Sequence, residues 1–141
     1  MSGHPGDRGD GATRAAIEAV LVEWCWLIDH GHASAAAVLF TADAEQSIAG
    51  VAASGIAAIA AGLQRREAMT HRTSRHVVSN VRIASGPDGD AAVSWILTLY
   101  RSDDDRRPAR AIMVADVADT FRHDGSGWRI RSRTVSPVFV D

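Results

Sequence analysis

With one cysteine in 141 residues, Cys25, the chain has no disulfide framework, and that thiol sits in the most apolar part of a helical segment, where it reads as buried and inert. A surplus of one charge is missing too. The 15 basic and 17 acidic residues give a net charge of −2, and the basic ones are scattered rather than striped, so there is no electrostatic footprint for nucleic acid. No stretch approaches the roughly 18 uninterrupted apolar residues of a membrane span, and the amino terminus lacks the apolar centre of a secretion signal. Metal-ligand spacings and phosphate-cradling glycine motifs are also absent. These absences describe a cytoplasmic domain with no expected cofactor, no metal, and neither nucleic acid nor membrane as partner.

What remains is enough chain for one domain with a real core. Residues 1–12 are mostly glycine, aspartate and proline with little to bury and read as a disordered lead-in to a domain over 13–141. From Thr13, apolar residues at Ile17, Val20, Leu21, Trp24, Leu27 and Ile28 fall at helical spacing, and Gly31 supplies a stop, so the first helix spans about Thr13 to His30. Ala33 to Phe40 reads as a short helix, Thr41 to Glu45 as a polar turn and Gln46 to Val51 as a short strand. Ser54 is placed to cap a third helix, Gly55 to about Met69. After Ser74 the period changes to two, over Arg75 to Ile83, Ala91 to Ser102, Ala109 to Arg122 and Trp128 to Val140, with turn chemistry between. Helices followed by antiparallel hairpins make an α+β fold, a cone-shaped barrel of three helices on a strongly curved, mainly antiparallel sheet. Such a sheet encloses a pocket for small apolar ligands.

The stretch VEWCWLIDHGH, 22–32, leaves almost no polar face and should be covered on most sides, yet it ends in a carboxylate, Asp29. Burial and the negative end of the helix dipole would both raise its pKa. It reads either as a base or histidine partner, or as a solvated residue before the glycine. On the strand TSRHVVSNVRI, 73–83, His76, Val78 and Asn80 share one face, and if that face looks into the cavity an imidazole meets the helix end.

An aspartate ending an aromatic-rich helix, the LFTADA turn, a strand beginning RHxxSN and a closing GWRIxxR strand resemble the SnoaL-like branch of the nuclear transport factor 2-like superfamily. The resemblance covers roughly Thr13 to Phe139. Scytalone dehydratase, hexachlorocyclohexane dehydrochlorinase and bile-acid dehydratase are its likenesses there, and their aspartate–histidine dyad falls on Asp29 and His76. The dehydrochlorinase's last-strand arginine falls on Arg133. The helix tyrosine of scytalone dehydratase is replaced by Ile28, and its second histidine falls near Tyr100 or Arg101. The resemblance implies a cofactor-independent lyase, a dehydratase or other elimination enzyme, or a cyclase, working by acid–base chemistry, with secondary metabolism and polyketide-like substrates as the setting. An isomerase, an epoxide hydrolase or a non-enzymatic binding module on the same scaffold are the alternatives.

Helix stripe and strand parity line the pocket with Trp24, Ile28, Phe40, Ile48 and Met113, with Gln46 and Asn80 as polar contacts, so the expected substrate is a hydrophobic small molecule. Tyr100, the only tyrosine, is a candidate proton donor or a rim residue. By strand period Arg129, Arg131 and Arg133 lie on one face and read as solvated; only a bulge would set Arg133 apart. Asp116 and Asp119, three apart, face opposite sides, and either could be the one that enters. Apolar residues near the end, Val135, Val138 and Phe139, would be exposed in a monomer, so a homo-oligomer, dimer or trimer, is expected.

Overall fold

The computed structural model describes residues 11–104 and 110–141. The expected lead-in falls outside them except for Gly11 and Ala12, which already open the first helix, α1 (Gly11–Asp29). Ile17, Leu21, Trp24, Cys25 and Ile28 put one face of α1 into the core. The helix stops because Gly31 adopts a φ of +83°, which lets the His32 amide bond back to the Leu27 carbonyl at 2.8 Å and leaves Asp29 in the last turn. The other face is not covered as expected. Val22 and Trp26, four residues apart, stay exposed because only one side of α1 meets the sheet, and Trp26 stacks on His30 with ring centroids 4.4 Å apart.

A 3-10 helix, Ala33–Leu39, runs straight into β1 (Phe40–Ile48), so the polar turn expected at 41–45 is strand. Two partners hold it extended, β2 (Val51–Ser54) antiparallel on one side and β6 (Trp128–Val140) parallel on the other. The reversal comes at Ala49 and Gly50, with φ of 51° and 85°, the left-handed pair of a two-residue hairpin. Ser54 closes β2 rather than capping a helix; Gly55 precedes α2 (Ile56–Glu67), which has no side-chain cap. The remaining strands, β3 (Thr73–Ser85), β4 (Ala91–Ser102) and β5 (Met113–His123), form antiparallel hairpins with β6 as expected, with β5 beginning at Met113; the expected start at Ala109 lies outside the described residues. The order is β2-β1-β6-β5-β4-β3, a sheet that curls over the helices without closing.

Strict alternation fails at bulges, and these decide which side chains turn inward. The β3–β4 register shifts between Ser79 and Arg82, where Asn80 takes a φ of 57°. Val78 and Val81 therefore pack against the core, and Asn80, expected beside His76, is exposed. In β6 the register shifts around Arg131, so Ile130 and Arg133 both face the interior although they are three positions apart. A second β6 shift lies beyond Val135, which is buried rather than exposed, while Val138 and Phe139 are exposed as expected. No helix among the described residues is long and apolar enough to cross a membrane.

Candidate active site

Asp29, brought over by the end of α1, meets β3 at Ser74 and His76. One carboxylate oxygen, Oδ1, lies 2.6 Å from His76 Nδ1 and accepts the Ser74 hydroxyl at 2.7 Å. The other, Oδ2, accepts the backbone amide of His76 at 2.7 Å. Ser74 in turn accepts from Arg66 Nη2 of α2 at 2.8 Å, which makes a chain from guanidinium to imidazole. Burial pulls the Asp29 pKa up, but the bonds from the His76 ring and amide, the histidine's charge and the Ser74 hydroxyl outweigh it and hold the group below its usual value. That reverses the upward shift expected from burial and the helix dipole. An ionised carboxylate only accepts, so His76 Nδ1 carries the hydrogen, and in the uncharged form of the ring the lone pair lies on Nε2. Neither side chain is freely solvated, at 4 % exposure for Asp29 and 12 % for His76.

The Trp24 ring joins this dyad to a second buried cluster. It packs edge-on against His76, with centroids 5.2 Å apart, and Arg133 Cζ lies 4.6 Å from its centre. Arg133, wholly buried, is gripped by Asp119 through Nε at 2.8 Å and Nη2 at 2.9 Å. Trp95 Nε1 donates to the same carboxylate at 2.8 Å. Arg133 is therefore not part of a solvated arginine face; the bulge at Arg131 turns it inward while Arg129 pairs with Asp124 at the surface. Among the described residues, Arg133 Nη1 and Trp24 Nε1 have no hydrogen-bond partner, although both are buried.

Other expected site residues scatter. Leu99 and Met113 sit in register with His76 on the same face, so Met113 stands two strands from the imidazole. Ile28 is buried in α1, and Gln46, in register with Arg133, is half-buried on the same side. Ile48 shares that side in register with Val135 but reaches the exposed end of β1. Phe40 is in register with Ile130 and Phe121, at the opposite end of the sheet from Met113, and lines a different hollow of about 610 Å³ with Ile56, Arg122 and Arg129. Tyr100 is exposed, paired with Arg75 on the outer face, because its neighbours Leu97 and Leu99 take the inward positions of β4. Asp116 lies exposed on that outer face beside Ser94, Ala118 and Ser136, which leaves Asp119 as the carboxylate that enters.

Sequence reasoning missed Ser74, Arg66 and the pairing role of Asp119. Alternation carried two of these signals: Ser74 precedes His76 by two, and Asp119 falls between Val117 and Phe121 on an apolar face. Arg66, on another element, left no such mark. Among the described residues no group of His, Cys, Asp or Glu is arranged to hold a metal ion.

Residues 11–134 match the SnoaL-like domain family. Among solved structures, the chain is similar to a putative scytalone dehydratase from Novosphingobium aromaticivorans DSM 12444, at 23% identity and a TM-score of 0.82 over 92% of this chain and 87% of that one. It is similar to Aln2 from a Streptomyces species, at 20% identity and a TM-score of 0.80 over 91% of this chain and 92% of the other. An NTF2-like protein with a cystatin-like fold from Novosphingobium aromaticivorans gives 24% identity and a TM-score of 0.77 over 90% and 82%. At these identities the likeness is one of fold. No curated protein matches the chain in sequence.

Proposed function

Since the chain belongs to the SnoaL-like domain family, on the NTF2-like fold, we propose that it is a cofactor-independent lyase of dehydratase or cyclase type acting on an apolar, polycyclic small molecule. One observation carries the reading: His76 Nδ1 is bonded to Asp29 at 2.6 Å, while Nε2 has no protein partner among the described residues and is free to take a proton. Asp29 holds the tautomer and stabilises the imidazolium that forms; His76 is the general base, and its imidazolium returns the proton to the leaving group. An acid–base pair of this kind works on a substrate already activated by a carbonyl, an aromatic ring or a good leaving group. Trp24, Ile28, Leu99 and Met113 on the surrounding elements favour a hydrophobic skeleton.

An epoxide hydrolase or ketosteroid isomerase would need a second free carboxylate beside the base. Asp119 has both oxygens engaged by Arg133 and Trp95, and Asp116 is on the outer face, so neither supports that chemistry. A panel of β-hydroxy ketones fused to aromatic rings, followed by mass spectrometry for loss of water, tests the proposal. Dehydration of at least one member by the unaltered protein and not by His76→Ala is expected. Tight binding without turnover across the panel would make the protein a binding module instead.

A further inference from the structure

Among the described residues, two hydrogen-bond donors in the core have nothing to donate to. Trp24 Nε1 and Arg133 Nη1 are both buried without partners, on side chains that touch, and one of those side chains packs against the base. Folded cores rarely leave such groups unpaired, because each loses its bond to water and gains none in return. The third unpaired atom, Arg131 Nε, belongs to a half-buried side chain at the β6 bulge.

We infer that Trp24 Nε1 and Arg133 Nη1 together hold the carbonyl oxygen of the substrate, next to the carbon from which His76 takes its proton. Both atoms are donors only, so the group they receive is an acceptor. Asp119 occupies Nε and Nη2 of Arg133, and Trp95 steadies Asp119, so Nη1 is presented in a fixed direction. The same pairing offsets the arginine's charge, and Asp29 adds a carboxylate on the His76 side of Trp24. An anionic substrate would meet no uncompensated cation here, whereas a neutral ketone exchanges its hydrogen bonds to water for these two donors. Its oxygen becomes negative only as the reaction proceeds, when preorganised donors are most effective.

The inference rests on the Asp29–His76 reading and names its substrate class, a neutral β-hydroxy ketone. His76 Nε2 takes the α-proton; the C–H electron pair becomes a carbon–carbon double bond as the carbonyl π pair moves onto oxygen. The resulting enolate is held by the two N–H groups. When it collapses the carbonyl re-forms, the β carbon–oxygen bond breaks, and the departing hydroxyl takes the proton from the imidazolium, leaving a conjugated enone and water.

The test compares binding of α-tetralone, a neutral bicyclic ketone, with tetralin, the same skeleton without oxygen, by titration calorimetry. Two buried donors, one of them charged, should favour the ketone by about tenfold or more. Trp24→Phe removes one donor, and its packing loss touches both ligands alike, so the preference should fall several-fold. In the unaltered protein, the infrared carbonyl stretch of isotope-labelled α-tetralone should lie below its position in hydrocarbon solvent, a readout that needs no variant to fold. Equal affinity for the two compounds, binding of neither, an unshifted stretch, or a full preference retained in Trp24→Phe overturns the assignment. So does tighter binding of naphthoate than of α-tetralone. None of these readouts involves turnover, so this assignment can fail while His76→Ala still abolishes dehydration, whereas an active His76→Ala protein overturns the dyad reading and leaves the binding readouts unchanged.

Discussion

Asp119 grips Arg133 from the neighbouring strand with both carboxylate oxygens, and neither side chain has any exposure. Removing one member of such a pair strands the other charge in the core. Arg133→Ala should therefore cost about 3–5 kcal/mol of stability, far more than a surface arginine would. Arg133→Met combined with Asp119→Leu should recover much of that loss, because no charge is left behind. Urea unfolding of the single and double variants checks this, and additive losses would contradict it.

The dyad variants should behave in the opposite way, losing activity more than stability. On any ketone that the protein dehydrates, His76→Ala and Asp29→Asn should each lower kcat/KM by about 10²–10⁴-fold. Ser74→Ala removes one donor to Asp29 and should produce a smaller loss, of roughly tenfold. Steady-state kinetics beside circular-dichroism melting curves separates these effects from unfolding.

Acid should expose the same network. The pKa of Asp29 is held low in the fold, so on acidification the unfolded chain takes up that proton first. Its contribution to stability is complete above the ordinary carboxylate range near pH 4 and disappears as pH falls through the lower, folded value. Subtracting the Asp29→Asn stability curve from that of the unaltered protein should show a slope confined to this acidic window. A flat difference would mean that the hydrogen bonds do not distinguish the charged form.

Cys25 offers a chemical check on packing around the helix. Burial pushes its pKa up to about 12; the Arg133 charge and a backbone hydrogen bond work against that shift, and Asp29 adds to it. Iodoacetamide should leave the thiol unmodified in the native protein at neutral pH and label it completely in guanidinium. Rapid native labelling would show that α1 opens locally.

At the end of β6, Val138, Phe139 and Val140 stand exposed in succession. Homo-oligomerisation through this apolar run remains our proposal. Light scattering should give a dimer or trimer at micromolar concentration, and Phe139→Glu should shift it toward monomer.

Much of the fold and half of the site could be read from the sequence for physical reasons that particular residues make plain. Gly31 marks the stop that leaves Asp29 at a helix end, and alternation from Ser74 to Val78 gives the His76 face. Strand period read Arg133 as solvated, although the resemblance pointed to it, because the β6 bulge at Arg131 carries no glycine or proline to announce it, and a one-residue slip reverses the facing of the residues that follow. Asn80 was lost to the same effect in β3. The Ala49–Gly50 hairpin escaped notice because alanine rarely takes a left-handed turn position, and β1 looked shorter than it is. Helix stripe and strand parity put Phe40 in the pocket, but neither says at which end of a sheet a residue lies.

β3 is an edge strand, and the bond from the His76 amide to Asp29 Oδ2 lies on its unpaired side. The carboxylate therefore also blocks a main-chain donor on which a strand from another molecule could grow. Alanine at position 29 would both silence the histidine and uncover a templating edge, so a lifeless, cloudy preparation of that variant would report aggregation as readily as chemistry. Asparagine keeps an oxygen over the amide, and is the substitution under which loss of turnover can be interpreted.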